Sequence, residues 1–232
     1  SPSTAAEREQ APFAAARRAA TSAAFPGKRL VIPAGGYKQR SNDTDYPFRA
    51  HSAFSHLTGW GADVVPDSVL VFDPAGDTHN VTLYLRDRAD RTTAEFYSDA
   101  TIGEFWIGPR PSVAEVAIEL GITTAVLEEF VAGEADLVVD EDASLTQFVS
   151  ELRLIKDSYE LEQMAHAVAV TARGFDDIVA DLPRIVATPR GERAVEGIFH
   201  ARARIEGNGE GYDTIAASGP HACYLHWTRN DG

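Results

Sequence analysis

The feature that most constrains this 232-residue chain is a single change of character between Arg153 and Asp157. Before it, short β-rich runs alternate with helical stretches, and after it the apolar residues recur at helical spacing. No Gly/Ser or Pro-rich tether marks the change and no internal repeat is visible, so the chain reads as two abutting domains, 1–153 and 154–232. Residues 5–24 are rich in Ala, Arg and Glu and stop at Phe25-Pro26-Gly27, which predicts an opening helix. Arg29–Ile32, Phe54–Leu57, Val69–Phe72 and Val81–Leu85 read as strands, with Asp73-Pro74-Ala75-Gly76 as the turn of an antiparallel hairpin. Val113–Leu120 is predicted helical up to Gly121, Thr124–Leu127 and Leu137–Val139 extended, and Asp142–Leu152 helical. The first domain is therefore expected to be mixed α/β.

In the second part, Leu161, Met164, Ala165, Val168 and Thr171 predict one long helix capped by Ser158. A second helix over Gly191–Ile205 is closed by Gly207, Gly209 and Gly211. Thr214–Ala217 and Ala222–Trp227 then read as two strands around Ser218-Gly219-Pro220. Two helices and a hairpin enclose little core, so this domain is expected to be incomplete at Gly232. The glycine cluster 207–211 follows a helix and precedes an extended run, the reverse of a phosphate loop, and reads as a turn.

Charge narrows the function. Thirty-five acidic against twenty-one basic residues give a net charge of −14, which disfavours nucleic acid and anionic lipid as partners. Arg17 and Arg18 form the nearest basic run, which reads as a solvated helix face. The lone Cys223 has no disulfide partner, and no apolar stretch reaches the roughly 18 residues of a membrane span. A cytoplasmic protein without membrane contact is expected. The histidines contain no His-Glu-x-x-His pair, and His51, His56 and His79 are dispersed through the first part.

Several segments carry a resemblance. Gly211-Tyr212-Asp213-Thr214-Ile215-Ala216-Ala217-Ser218-Gly219, followed by Ala222-Cys223-Tyr224-Leu225-His226-Trp227, is similar to the block that precedes the metal site of aminopeptidase P and prolidase. Arg153, Lys156 and Glu160 resemble the entry to the catalytic domain of that family. Asn42-Asp43-Thr44-Asp45-Tyr46-Pro47-Phe48-Arg49, leading to Phe54 and Leu57-Thr58-Gly59-Trp60, resembles the aminopeptidase P amino-terminal signature, and Phe105-Trp106-Ile107-Gly108-Pro109-Arg110 its W-x-G-x-R stretch. The resemblance implies a mixed-sheet, creatinase-like amino-terminal domain followed by an incomplete pita-bread α+β domain. It implies an Xaa-Pro aminopeptidase acting on peptides with proline second, in a homo-oligomer. Two divalent metal ions, with manganese expected, would be bound by residues beyond Gly232, so no metal ligand is expected in this chain and the chain alone is expected to be inactive. A separate chain carrying the remaining part is one way to complete it. The alternatives are a prolidase- or creatinase-like relative, or a non-catalytic module for oligomer contacts or peptide docking.

The candidate site residues follow from both lines. On a strand, Tyr224 and His226 would share a face toward a cleft, with Cys223 and Leu225 opposite, which makes Cys223 a core residue. His226 is the catalytic candidate, since an imidazole can donate to a developing oxyanion. Asp43, Trp106, Arg153 and Tyr224 are the substrate-binding candidates. For Asp43 the plain alternative is a solvated loop with a local ion pair to Arg49, for Trp106 core packing, and for Arg153 an interdomain ion pair.

Overall fold

The computed structural model describes residues 5–134 and 136–232. It divides into two compact units, Ser1–Lys156 and Asp157–Gly232. The amino-terminal unit runs α1 (Ala11–Ala24), β1 (Leu30–Pro33), β2 (Gln39–Ser41), β3 (Thr44–Asp45), α2 (Ser52–Thr58), β4 (Val69–Ala75), β5 (Thr78–Leu85), α3 (Glu95–Ser98), α4 (Glu104–Ile107), α5 (Val113–Leu120), β6 (Thr123–Val126), β7 (Leu137–Val138) and α6 (Ala143–Leu152). Five of these strands form one mixed sheet in the order β6-β5-β4-β1-β7, while β2 and β3 make a separate ribbon. β4 is antiparallel to β1 and β5, whereas β6 and β7 join the two edges in parallel.

The sheet sorts its side chains by period two. Leu30, Ile32, Leu70, Phe72, Leu83 and Leu85 meet Phe54, Leu57, Trp60, Leu120 and Leu145 in the main core. Val31, Val69 and Val71 point the other way and pack with Tyr84, Phe130 and Val138. The register Leu30↔Phe72 and Ile32↔Leu70 keeps each set on its own face. The β4–β5 hairpin forms as expected, but β4 continues through Pro74 to Ala75, and the turn is Gly76-Asp77 with Gly76 at φ 64.

Phe54–Leu57, expected as a strand, is helical. The His51 ring accepts from Ala53 N, Gly59 ends the helix in the left-handed region, and Phe54 and Leu57 fall on one buried face. The last carbonyls of α2 find donors on α1. Gln10 Nε2 donates to Gly59 O at 2.9 Å, Arg17 to His56 O at 3.0 Å and Arg18 to Leu57 O at 2.9 Å. Arg17 and Arg18 are therefore not a solvated face: Arg18 is buried, and burial pulls its pKa down. α5 carries a full capping box between Ser112 and Glu115.

The carboxy-terminal unit contains α7 (Ser158–Ala180), α8 (Leu182–Ala187) and α9 (Gly191–Glu206). Asp157, rather than Ser158, caps α7, in a capping box with Glu160. α7 and α9 come close where Gly174 faces the Phe199 ring, since a Cβ there would lie 2.9 Å from it. Arg202 on α9 bonds Asp177 on α7 at 2.7 and 2.8 Å, and Arg173 pairs with Glu206.

The two expected strands at Thr214–Ala217 and Ala222–Trp227 are absent. A 3-10 turn occupies Gly219–Cys223 and a further turn Leu225–His226. The physical reason is where the backbone groups go. Ala216 N donates to Asn230 Oδ1 at 2.9 Å, Asn230 Nδ2 to Thr214 O at 2.9 Å, and Ser218 N to Glu192 Oε1 at 2.7 Å, so side chains replace a neighbouring strand. Without a strand the alternation of 223–226 lapses, and Cys223 is exposed rather than core.

Candidate functional site

Each unit has a place among its described residues where polar chemistry converges. In the amino-terminal unit it is a cavity of about 680 Å³ walled by Tyr37, Tyr46, Phe48, Arg86 and the segment Ile107–Pro111, with Asp43 and Asp45 among its lining residues. Asp43 reaches it from the tight turn between β2 and β3, where Asn42 sits at φ 50. Among the described residues Asp43 forms no ion pair with Arg49. Burial, together with the charges of Asp45 and Asp67, pushes the Tyr37 phenol above its ordinary value.

The W-x-G-x-R stretch has a structural explanation at its arginine. Arg110 is buried, and it donates to Asp87 O at 2.7 Å, to Ile102 O at 2.8 Å and to Glu95 Oε1 at 2.5 Å, with Glu104 3.2 Å away. It thereby ties the loop after β5 to α3 and α4. Trp106 is 57% exposed, which excludes core packing. Its Nε1 donates to Tyr97 O at 2.9 Å, and its ring stands edge-on to Phe105, itself against Tyr97. Asp43 and the segment just after Trp106 thus meet at one cavity. Arg153 stands at the end of α6, half-buried, with its carbonyl accepting from Lys156 Nζ at 2.8 Å.

In the carboxy-terminal unit the convergence is on Glu192, in the first turn of α9 and 3% exposed. Its Oε1 accepts from Ser218 N, Ser218 Oγ and His221 Nδ1 at 2.7, 3.0 and 2.9 Å. Its Oε2 accepts from Trp227 Nε1 at 2.8 Å and Gly232 N at 2.9 Å. Burial by itself would raise this carboxyl's pKa, but the donors outweigh it and hold Glu192 well below the usual carboxylate range. Trp227 stacks with the His221 and Tyr224 rings, 4.0 and 5.4 Å away, with the Arg229 guanidinium 4.1 Å from its centroid. Tyr224 and His226 are both exposed on the loop that this arrangement holds.

Sequence reasoning missed Glu192, because a glutamate in a first helical turn is ordinary and its five donors come from 26 to 40 residues away. Arg110 was visible within a motif but without a role.

Glu192, His221 and Asp231 are the one group among the described residues that brings three possible metal ligands within 4.8 Å. They do not fit a metal centre. Both Glu192 oxygens already accept protein donors, and a cation would have to displace the Ser218 amide, the Trp227 indole or the His221 ring. The carboxylate is a structural hub.

Comparison with known proteins agrees with this architecture. Residues 14–133 match the family model of the aminopeptidase P N-terminal domain. The chain is 47% identical to Xaa-Pro aminopeptidase 1 of Streptomyces coelicolor, over 96% of this chain and 49% of the relative. It is 45% identical to Xaa-Pro aminopeptidase 2 of the same organism, over 97% and 51%. The solved zinc-substituted aminopeptidase P of Escherichia coli in complex with product superposes with a TM-score of 0.75 at 22% identity, covering 97% of this chain and 57% of that one. The chain spans about half the length of the curated relatives it matches.

Proposed function

The chain belongs to the aminopeptidase P family, and from that premise we propose that the protein of which it forms part removes the amino-terminal residue from peptides with proline at the second position. The observation that carries this reading is the 47% identity to an Xaa-Pro aminopeptidase across 96% of the chain. Two divalent metal ions, manganese in our reading, would be held by residues beyond Gly232, and the one candidate cluster among the described residues does not fit a metal centre. Within this chain the roles are binding and positioning. His226, exposed on the Glu192-anchored loop, donates a hydrogen bond toward the scissile carbonyl as charge develops on its oxygen. Tyr224 and Arg153 contact substrate, Asp43 attracts its ammonium group, and Trp106 presents an aromatic face to the substrate path. The exposed cluster of Tyr97, Phe105 and Trp106 supports a homo-oligomer, because clustered exposed aromatics suit an interface core. No described helix is long and apolar enough to cross a membrane, and we place the protein in the cytoplasm.

The test uses a manganese-loaded polypeptide of the relatives' full length. It should cleave Ala-Pro-Ala faster than the dipeptide Ala-Pro and leave creatine untouched, and His226→Ala should lower kcat by about 10²-fold or more. Cleavage confined to the dipeptide would assign a prolidase instead.

A further inference from the structure

The glycine cluster 207–211 takes no part in the roles described so far, and it holds the one asparagine of this chain that a glycine follows. Asn42 precedes Asp43, and Asn80 precedes the β-branched Val81 and is itself held in the β4–β5 ladder opposite Asp73. Asn230 is fully buried, with its Oδ1 and Nδ2 both bonded. Asn208 differs on each count. It is exposed just past the end of α9, and among the described residues neither its side chain nor the Gly209 N–H forms a hydrogen bond. Gly209 stands at φ 152, where side chains rarely go, and a Cβ there would meet nothing within 4 Å.

One contact does reach this peptide bond. Arg204, in the last turn of α9, donates through Nη1 to Asn208 O at 2.7 Å. That oxygen belongs to the amide whose nitrogen is Gly209 N. When an amide nitrogen gives up its proton, the negative charge is shared with its carbonyl oxygen, and a guanidinium bonded there stabilises the anion. The turn that carries the arginine is itself ordered, since Gly207 N donates to Ala203 O at 2.9 Å. The nitrogen made more acidic in this way is the nucleophile that lies next along the chain from the Asn208 carboxamide.

We propose that Asn208-Gly209 is a self-modification site, at which Asn208 is converted to isoaspartate and aspartate and Arg204 promotes the ring closure. Gly209 N gives its proton to solvent, and its electron pair attacks Asn208 Cγ. The Cγ–Nδ2 bond breaks and Nδ2 leaves as ammonia after taking up a proton, which leaves a five-membered succinimide. Water then adds to either ring carbonyl. Opening at the main-chain carbonyl leaves the chain running through Cγ as isoaspartate, and opening at Cγ restores the ordinary backbone as aspartate. Water is the only co-reactant, and nothing is oxidised or reduced. Either product adds a negative charge between Glu206 and Glu210, at the end of α9 where the helix dipole is itself negative. Isoaspartate also lengthens by one backbone atom the run from α9 to Thr214, whose carbonyl Asn230 holds.

The experiment incubates the folded 232-residue chain at mildly alkaline pH and follows every asparagine by peptide mapping, with enzymatic methylation of isoaspartate to tell the two products apart. A gain of about 1 Da is expected at residue 208 ahead of Asn42, Asn80 and Asn230, with isoaspartate among the products. Arg204→Gln should slow the conversion about tenfold, the effect of one charge-assisted bond on the closing step. Gly209→Ala should slow it by about tenfold or more, since a Cβ hinders closure. Should Arg204→Gln fray α9, seen as lost amide protection along that helix, Arg204→Met takes its place, keeps the apolar stem and should show the same slowing. Equal conversion at Asn208 and Asn42, aspartate without isoaspartate, or a parental rate in the arginine variant that keeps α9 overturns the proposal. The readout is the chemistry of this chain itself, so it stands or falls apart from the aminopeptidase reading.

Discussion

In the amino-terminal unit Leu30, Phe54, Leu70 and Phe72 are fully buried, whereas along α7 of the carboxy-terminal unit Leu161, Met164, Val168, Phe175 and Val179 are each more than half exposed. Those five share one helical stripe, and only Val170 and Gly174 of that helix are buried. The first unit gains its order from a sheet with apolar contacts on both faces. The second gains it from the α7–α9 pair and from one buried carboxylate that collects the donors of an otherwise irregular loop. A continuous apolar stripe of that length is a surface made for contact. The lesson is that helical periodicity specifies which face of α7 is apolar without specifying what covers it.

The sharpest way to break the comparison is to truncate one apolar side chain in each unit. Phe54→Ala should cost about 3–5 kcal/mol, while Val168→Ala, on the exposed stripe, should stay within about 0.5 kcal/mol. Urea denaturation read by hydrogen exchange in each unit measures both, and similar losses would erase the distinction. Glu192→Ala comes next: the Ser218 and Trp227 donors lose their acceptor, so amide protection over 214–230 should fall while the sheet of the amino-terminal unit keeps its own.

Acidification separates the units more gently. The Glu192 carboxyl titrates lower when folded than its ordinary value of 4.5, so it stabilises the folded loop at higher pH and that contribution is lost as pH falls below 4.5 toward the folded value. Glu192→Gln should flatten this acid limb for probes in residues 214–230 and leave it unchanged for probes in β4 and β5, as followed by pH-dependent exchange. The smallest effects should be equal in the two units. Ser112→Ala and Asp157→Ala each remove one capping-box acceptor and should each cost about 1 kcal/mol in thermal or chemical unfolding. Equal cap losses beside unequal core losses would locate the difference in tertiary closure.

Much of this was legible in the residues. The Val69–Phe72 and Val81–Leu85 hairpin, the helix over Val113–Leu120 and the break near Arg153–Asp157 all carry local signals, and the family resemblance rested on motifs in both units. Phe54–Leu57 misled because a four-residue apolar run suits either period, and the decision came from His51 and Gly59 at its ends. The strands expected after Thr214 failed for another reason. Extended propensity becomes a strand only when a neighbour accepts its hydrogen bonds, and here Glu192 and Asn230 take that place. Arg18 was misread because the carbonyl it satisfies, that of Leu57, belongs to a helix 39 residues away. In the site, Asp43 was visible as a motif residue.

The most direct measurement is peptidase activity on Ala-Pro-Ala with added manganese, comparing this 232-residue chain with a polypeptide of the relatives' full length. The account predicts release of the amino-terminal alanine by the longer polypeptide and none by this chain. Metal-dependent turnover by the 232 residues alone would contradict it, because it would require a competent metal centre where Glu192, His221 and Asp231 are read as a structural cluster.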